Sequence, residues 1–142
     1  MLRPAVRQLV ARARALAGLH QQAALGEQAQ ALSALLRRRA AEEPLAYLLG
    51  EREFHGLMLR VTPDVLVPRA DTETLVDWAL ELLADWPAPR VIDLGTGSGA
   101  IALAVSAERD DLNVTGLDIS ADAVAVARGN DQAGHVTWLV SD

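Results

Sequence analysis

RVIDLGTGSGA, residues 90–100, joins a short apolar run to glycines at positions 95, 97 and 99. An apolar run bounded by glycine predicts a buried strand, and the alanine-rich AIALAVSAE that follows predicts a helix. Glycines allow the tight turn between the two and let a ligand come close to the backbone. The N-terminus of the helix offers unpaired amide groups to such a ligand. The stretch therefore predicts a strand, a loop and a helix that together bind a nucleoside.

The sequence after this unit continues the same alternation. Strand NVTGLD, a helix capped by Ser120 and strand VTWLV follow in turn. An order β-α-β-α-β predicts a parallel sheet with right-handed crossovers and a ligand crevice at the carboxyl ends of the strands. The fold class is thus α/β and Rossmann-like. Three strands are predicted up to Asp142, and an ordinary sheet of this kind has more, so we expect an incomplete sheet.

The first 50 residues predict a small helical bundle. Apolar positions recur at helical spacing from Pro4 until Gly18 offers a stop, and a second helix is expected over about residues 20 to 41. Leu25, Leu32, Leu35 and Leu36 form its apolar stripe. Pro44 opens a short third helix, PLAYLL, which Gly50 closes.

Residues 51–70 predict a β-hairpin that bridges this bundle and the domain from 71 to 142. Alternating apolar residues and the turn pairs His55-Gly56 and Pro63-Asp64 favour short strands. Asp71 is placed to cap the next helix. The apolar stripe of this helix consists of Leu75, Trp78, Ala79, Leu82 and Leu83.

Composition excludes several classes of protein. The first 41 residues carry seven arginines and one acid, whereas the other 101 carry six arginines and 18 acids, which indicates two modules. Arginines at helical spacing are typical of a wet helix face, so direct nucleic-acid binding is not expected. The chain has no cysteine and no run of about 18 apolar residues, which favours a cytoplasmic protein without a membrane span. Its three histidines lack metal-site spacing, so no metal is predicted.

Two acids near the glycines bear on the ligand. Asp118 is the last residue of the predicted strand NVTGLD. At this position, this kind of fold places an acid against ribose hydroxyls. Gly95, Gly97 and Ala100 also satisfy the spacing of a dinucleotide site, so an NAD-type oxidoreductase fragment stays an alternative. Asp93 favours a cationic ligand such as S-adenosylmethionine, because a carboxylate there would repel a pyrophosphate.

Three segments carry a family resemblance over residues 43 to 142. EPLAYLLGEREFHGLMLRVTPDVLVPRADTETLV, VIDLGTGSGAIALAVSAE and VTGLDISADAVAVARGN resemble the peptide chain release factor glutamine methyltransferases. The resemblance implies a class I methyltransferase that uses S-adenosylmethionine to methylate the glutamine amide of the release factor GGQ motif. It also implies that residues 1–50 help to recognise the release factor. Ala70 stands where the family usually has proline.

The resemblance also assigns site residues. It implies that Asp93 faces the ammonium of the methionine part and that Asp118 holds the ribose, with Asp142 near the adenine amine. The loop that would wrap the methionine part consists of Gly95, Thr96, Gly97, Ser98 and Gly99. The family's catalytic Asn-Pro-Pro-Tyr is absent from the sequence, so no catalytic residue is assigned and we expect this chain to be inactive.

Two further expectations concern the chain itself. A non-catalytic truncated module that at most binds cofactor or partner is a second alternative to the enzyme. The family's sheet order, as the resemblance implies, makes strand 90–94 central, which predicts an exposed edge and self-association there. Trp78, Trp86 and Trp138 stand among aliphatic residues and are interpreted as core or linker packing.

Overall fold

The structure is a computed structural model that describes residues 4–16 and 25–142. The chain divides into two compact units, residues 1–50 and residues 51–142. The expected helix stop at Gly18 and the expected helix start near residue 20 lie outside the described residues. No helix in the described part of the chain is long and apolar enough to cross a membrane.

The first unit is helical. Helix α1 spans Pro4–Leu16, α2 spans Leu25–Ala40 and α3 spans Leu45–Leu49. Gly50 ends α3 with φ of 77°, the left-handed state that glycine adopts readily at a helix end. Among the described residues of this unit, the buried core cluster consists of Leu9, Ala13, Leu35 and Leu48. Leu36, expected on the apolar stripe of α2, is 44% exposed, because only Leu35 of that pair faces the core.

The second unit begins with the hairpin of β1 (Glu51–Phe54) and β2 (Leu57–Arg60). Its two turn residues, His55 and Gly56, have φ of 48° and 75°. Positive φ at both central positions matches the right-handed twist of the paired strands. The hairpin expected from the alternating apolar residues is therefore present.

The second unit also contains a three-stranded parallel sheet, whose strands lie side by side in chain order. Its strands are β3 (Arg90–Leu94), β4 (Asn113–Asp118) and β5 (Val136–Val140), and the helices between them are α5 (Ala100–Glu108) and α6 (Ala121–Asn130). Val91 lies opposite Val114, which in turn lies opposite Val136. The alternation read from the sequence is thus the observed fold, an α/β domain with a three-stranded parallel sheet.

Helix α4 (Glu73–Leu83) departs from two expectations. Asp71 does not cap it, because a 3-10 turn at Ala70–Thr72 adds a turn before the helix and places Thr72 at the N-cap without a side-chain bond. Its buried face is centred on Val76, which is fully buried. Three residues of the expected stripe are more than two fifths exposed, namely Leu75, Trp78 and Leu82. Trp78 is therefore not a core residue.

The core of the second unit lies between the hairpin, α4, α5, α6 and one face of the sheet. Phe54 of the hairpin and Val105 of α5 are both 1% exposed in this cluster. Trp138 of β5 is 8% exposed, as its interpretation as a packing residue expected, whereas Trp86 after α4 is 64% exposed. The core therefore fixes α5, the helix that follows the glycine loop, against β4 and β5.

Candidate cofactor site

The glycine loop, residues 95–99, joins β3 to α5 at the carboxyl ends of the strands. Gly95, Gly97 and Gly99 have φ of 72°, 55° and 81°, a region that other residues rarely adopt. The amides of Gly95 and Thr96 both donate to the carbonyl of Leu117 at 2.9 Å. The loop is thereby held against the end of β4.

Asp118 ties the same loop to β4 through its side chain. Its Oδ2 accepts a hydrogen bond from the Gly97 amide at 2.9 Å, and its Oδ1 accepts one from the Ser120 amide at 3.0 Å. A carboxylate offers about four lone-pair positions, so two bonds leave acceptor capacity for hydroxyl groups of a ligand. The acid expected from spacing therefore stands beside the expected loop.

Asp93 organises the start of α5. Its Oδ2 accepts hydrogen bonds from the Thr96 hydroxyl at 2.7 Å and from the Ala102 amide at 3.3 Å. Gly99, the N-cap of α5, has no side chain that could satisfy the first amides of this helix. Asp93 supplies an acceptor and a negative charge at that positive end. Both hydrogen bonds to the Asp93 carboxylate end on Oδ2.

The glycines of the site fall into two groups. A Cβ at Gly99 would lie 2.7 Å from the Trp138 ring, and one at Gly116 would lie 2.5 Å from it, so these two positions exclude a side chain by packing. A Cβ at Gly95 or Gly97 would meet nothing within 4 Å. The space above Gly95 and Gly97 is therefore open to a ligand, while Trp138 forms the floor beneath the loop.

Asp131 fixes the orientation of the Trp138 ring beneath the glycine loop. Its Oδ2 accepts a hydrogen bond from the Trp138 indole at 3.0 Å, and its two oxygens also accept bonds from the amides of Gly134, His135 and Val136. Burial disfavours the charged form of Asp131, but these hydrogen bonds outweigh it and hold the pKa of its carboxyl below the ordinary value. The charged carboxylate thus orients the ring on which the glycine loop rests.

The remaining expected site residues lie at different depths. Thr96 and Ser98 are 6% and 2% exposed, so their side chains face the protein. Asp142 is exposed and follows β5. The amide of its neighbour Ser141 donates to the carbonyl of Asp118 at 3.0 Å, which brings the end of the chain beside Asp118. The structure therefore gathers the expected loop, Asp93, Asp118 and the Asp142 backbone at one end of the sheet.

The sequence alone did not indicate Asp131 at this site, nor Asn130. Its side-chain amide donates to the carbonyl of Ser98 at 2.9 Å. The residue lies 32 positions away along the chain, at the last position of α6, where asparagine looks like an ordinary helix end. No local pattern could have indicated it.

Two family models match the chain. One is described as the methyltransferase small domain and matches residues 72–141, and the other is described as the PrmC N-terminal domain and matches residues 7–50. The release factor glutamine methyltransferase of Bordetella pertussis is 54% identical over 110 residues, which are 76% of this chain and 41% of that protein. The Escherichia coli K12 enzyme of the same name is 52% identical over 106 residues, 75% of this chain and 38% of that protein.

The chain is homologous to the N-terminal portion of the release factor glutamine methyltransferases. It spans about two fifths of the length of these relatives. Among solved structures, the Pyrococcus abyssi tRNA (uracil-54, C5)-methyltransferase in complex with S-adenosyl-L-homocysteine superimposes with a TM-score of 0.52 at 18% identity, over 65% of this chain and 23% of that one. Coclaurine N-methyltransferase bound to N-methylheliamine and S-adenosylhomocysteine gives 0.50 at 15% identity, over 96% and 42%. The fold is therefore that of the class I methyltransferases.

Proposed function

We propose that the chain binds S-adenosylmethionine at the glycine loop. The bond between the Gly97 amide and the Asp118 carboxylate carries this proposal, because it brings the loop and the acid to one place. A Cβ at Gly95 or Gly97 would meet no other atom within 4 Å, so a ligand could approach the bare backbone at both positions. The site therefore fits a nucleoside-bearing ligand held against bare backbone.

Each part of the ligand has a residue that suits it. Asp118 would accept hydrogen bonds from the ribose hydroxyls, with the loop of residues 95–99 around the methionine part. Asp93 would provide a negative charge near the ammonium group, although both of its present bonds serve the start of α5. Asp142 would lie near the adenine amine, since its neighbour Ser141 is bonded to Asp118. Thr96 and Ser98 would contribute backbone only.

We further propose a reaction for which this site would hold the cofactor. It is methylation of the glutamine side-chain amide in the GGQ motif of peptide chain release factors. The name of the relatives at 52 to 54% identity supports a release factor glutamine as the substrate, and the family resemblance implies the GGQ motif. S-adenosylmethionine, held by the loop of residues 95–99 and by Asp118, would supply the methyl group. The amide nitrogen would gain the bond to the methyl carbon, the carbon–sulfur bond would break with release of S-adenosylhomocysteine, and the amide proton would pass to solvent.

The chain alone is expected to be inactive. An amide nitrogen is a poor nucleophile because its lone pair is delocalised, as the planarity of the peptide bond indicates. The Asn-Pro-Pro-Tyr that the resemblance associates with gripping this amide is absent from the sequence. Labelled methyl donor and a release factor should therefore give no incorporation at the GGQ glutamine. Turnover near that of an intact relative would contradict this expectation. A release factor partner would place the protein in the cytoplasm.

Asp118→Asn tests the proposed cofactor site. The substitution keeps an oxygen that can accept from the Gly97 amide but removes the charge and half of the acceptor capacity. We expect the affinity for S-adenosylhomocysteine to fall by about 10-fold to 100-fold, as loss of a charge-assisted hydrogen bond predicts. Asp110→Asn, the same exchange in the exposed turn before β4, is the control. Equal affinities of both variants would place the ribose elsewhere.

A further inference from the structure

Asn130 makes three hydrogen bonds through one side-chain amide. Its Oδ1 accepts from the Arg60 amide at 2.8 Å, and its Nδ2 donates to the carbonyls of Arg60 and Ser98 at 3.0 and 2.9 Å. An asparagine amide has two donors and one acceptor oxygen, and all of these groups are engaged. The side chain therefore bridges β2 of the hairpin and the glycine loop.

The contact with Arg60 closes the outer edge of β2. Arg60 pairs with Glu51 of β1 in the hairpin, and its own amide and carbonyl both reach Asn130. In an antiparallel ladder, every second residue directs its amide and carbonyl away from the strand it pairs with, and Arg60 is such a residue. The Asn130 amide thus occupies the place that a further strand would take.

The contact with Ser98 acts on the loop itself. The carbonyl of Ser98 and the amide of Gly99 belong to one planar peptide group, so fixing the carbonyl fixes the direction of the amide. That amide donates to the carbonyl of Thr96 at 2.8 Å, which closes the turn before α5. Ser98 is 2% exposed, so no water replaces this bond easily.

We propose that Asn130 is a positioning residue that couples the hairpin to the glycine loop. Order imposed on the loop by a ligand is transmitted through the Asn130 amide to Arg60 of β2. The ligand-dependent part of this proposal rests on the proposed cofactor site, whereas the mechanical link between Arg60 and Ser98 does not.

Asn130→Asp is the sharpest test, because it preserves shape and the acceptor for the Arg60 amide. It removes both donated bonds and sets a carboxylate against two carbonyl oxygens. Asn113→Asp is the matched control, since Asn113 is the only other asparagine and lies at the exposed start of β4. Asn130→Ala is a second variant without the repulsion. Amide hydrogen exchange of residues 60 and 95–102 is followed in each protein with and without S-adenosylhomocysteine.

In the original protein and in Asn113→Asp, the ligand should slow exchange both in the loop and at Arg60. In the two Asn130 variants it should slow exchange in the loop alone, with about five-fold to ten-fold weaker binding. Ligand-dependent protection of Arg60 that persists in both Asn130 variants would overturn the proposal. If the original protein does not bind the ligand, the proposed cofactor site fails, and the link is judged without ligand. Faster exchange at both Arg60 and Gly99 in Asn130→Ala then supports it, and unchanged exchange at Gly99 overturns it.

Discussion

The carboxylate of Asp118 accepts a hydrogen bond from the amide of Gly97 at 2.9 Å, across 21 positions of the chain. The acid at the end of β4 therefore helps to set the conformation of the loop that follows β3. A site organised in this way loses less conformational entropy when it binds a ligand. The loop and the acid form one unit, so a change in either should affect binding.

Gly97→Val is expected to abolish cofactor binding while the helical unit stays folded. Gly97 has φ of 55°, which a β-branched residue adopts only at a cost, and the new side chain would fill the open space. Titration calorimetry with S-adenosylhomocysteine measures the loss.

Gly56→Val is the matched control for this change. Gly56 also has a positive φ, 75°, and open space at its Cβ, but it lies in the hairpin turn between β1 and β2. The two variants therefore share the backbone strain, and Gly97→Val alone places a side chain in the proposed cofactor site. Equal losses of affinity in both would mean that strain, and not occupation of the site, explains the effect.

His55 predicts a pH-dependent term in stability. Its Nε2 lies 3.1 Å from Asp77 of α4, and its Nδ1 lies 3.7 Å from Glu108 of α5. The hydrogen bond with Asp77 raises the pKa of His55 above its ordinary 6.5 against the effect of burial, with the charges of Asp77, Glu108 and Glu73 adding to it. Because the folded state holds the proton more tightly, this stabilisation is complete below pH 6.5 and is lost as pH rises through the raised pKa.

Thermal unfolding between pH 5.5 and 8.5 measures the effect of His55. His55→Asn tolerates the positive φ of the turn and removes the titrating group. We expect this variant to lose less stability than the original protein as pH rises through neutrality. His135→Asn, the same exchange at an exposed histidine before β5, is the matched control. Identical pH profiles of His55→Asn and the original protein would contradict the assigned role.

The outer edge of β3 predicts self-association. Within the described residues, β3 pairs with β4 alone, and its side chains Ile92 and Leu94 are 62% and 73% exposed. No lysine or proline interrupts this strand, and these are the residues that commonly protect an edge. We propose that a second copy of the chain pairs along β3.

Light scattering across a range of concentrations tests this proposal. Ile92→Lys combined with Leu94→Lys should shift the chain toward monomer, because lysines on an edge strand disfavour its pairing with a strand of another chain. Met58→Lys, on β2 and 63% exposed, should leave the association unchanged. A strictly monomeric original protein with strongly protected amides at residues 91–94 would disprove the proposal.

The sheet, the hairpin and the glycine loop could be predicted because each has a local signature. Periodicity and glycine spacing lie within a few residues of one another, and His55-Gly56 specifies its own turn. The exposed face of α4 could not be predicted in this way. Its apolar residues cover more than one stripe, and only packing decides that Val76 faces inward while Trp78 does not.

The long-range contacts of the site also lack a local signature. Asn130 bonds to Arg60 across 70 positions of the chain. The Trp138 ring, on β5, leaves no room for a side chain at Gly99 or at Gly116 of β4. The capping role expected for Asp71 failed for a related reason, since the sequence does not distinguish a 3-10 turn from the first turn of an α-helix. The loop itself was therefore predictable, and its supports were not.

Titration calorimetry of the chain with S-adenosylhomocysteine and, separately, with NAD tests the central claim most directly. We predict that S-adenosylhomocysteine binds in a 1:1 ratio and at least about tenfold more tightly than NAD, a difference of about 1.4 kcal/mol. Asp93 beside the glycine loop disfavours a pyrophosphate but not a ligand with an ammonium group. Tighter binding of NAD, or no binding of S-adenosylhomocysteine by a folded chain, would contradict the account.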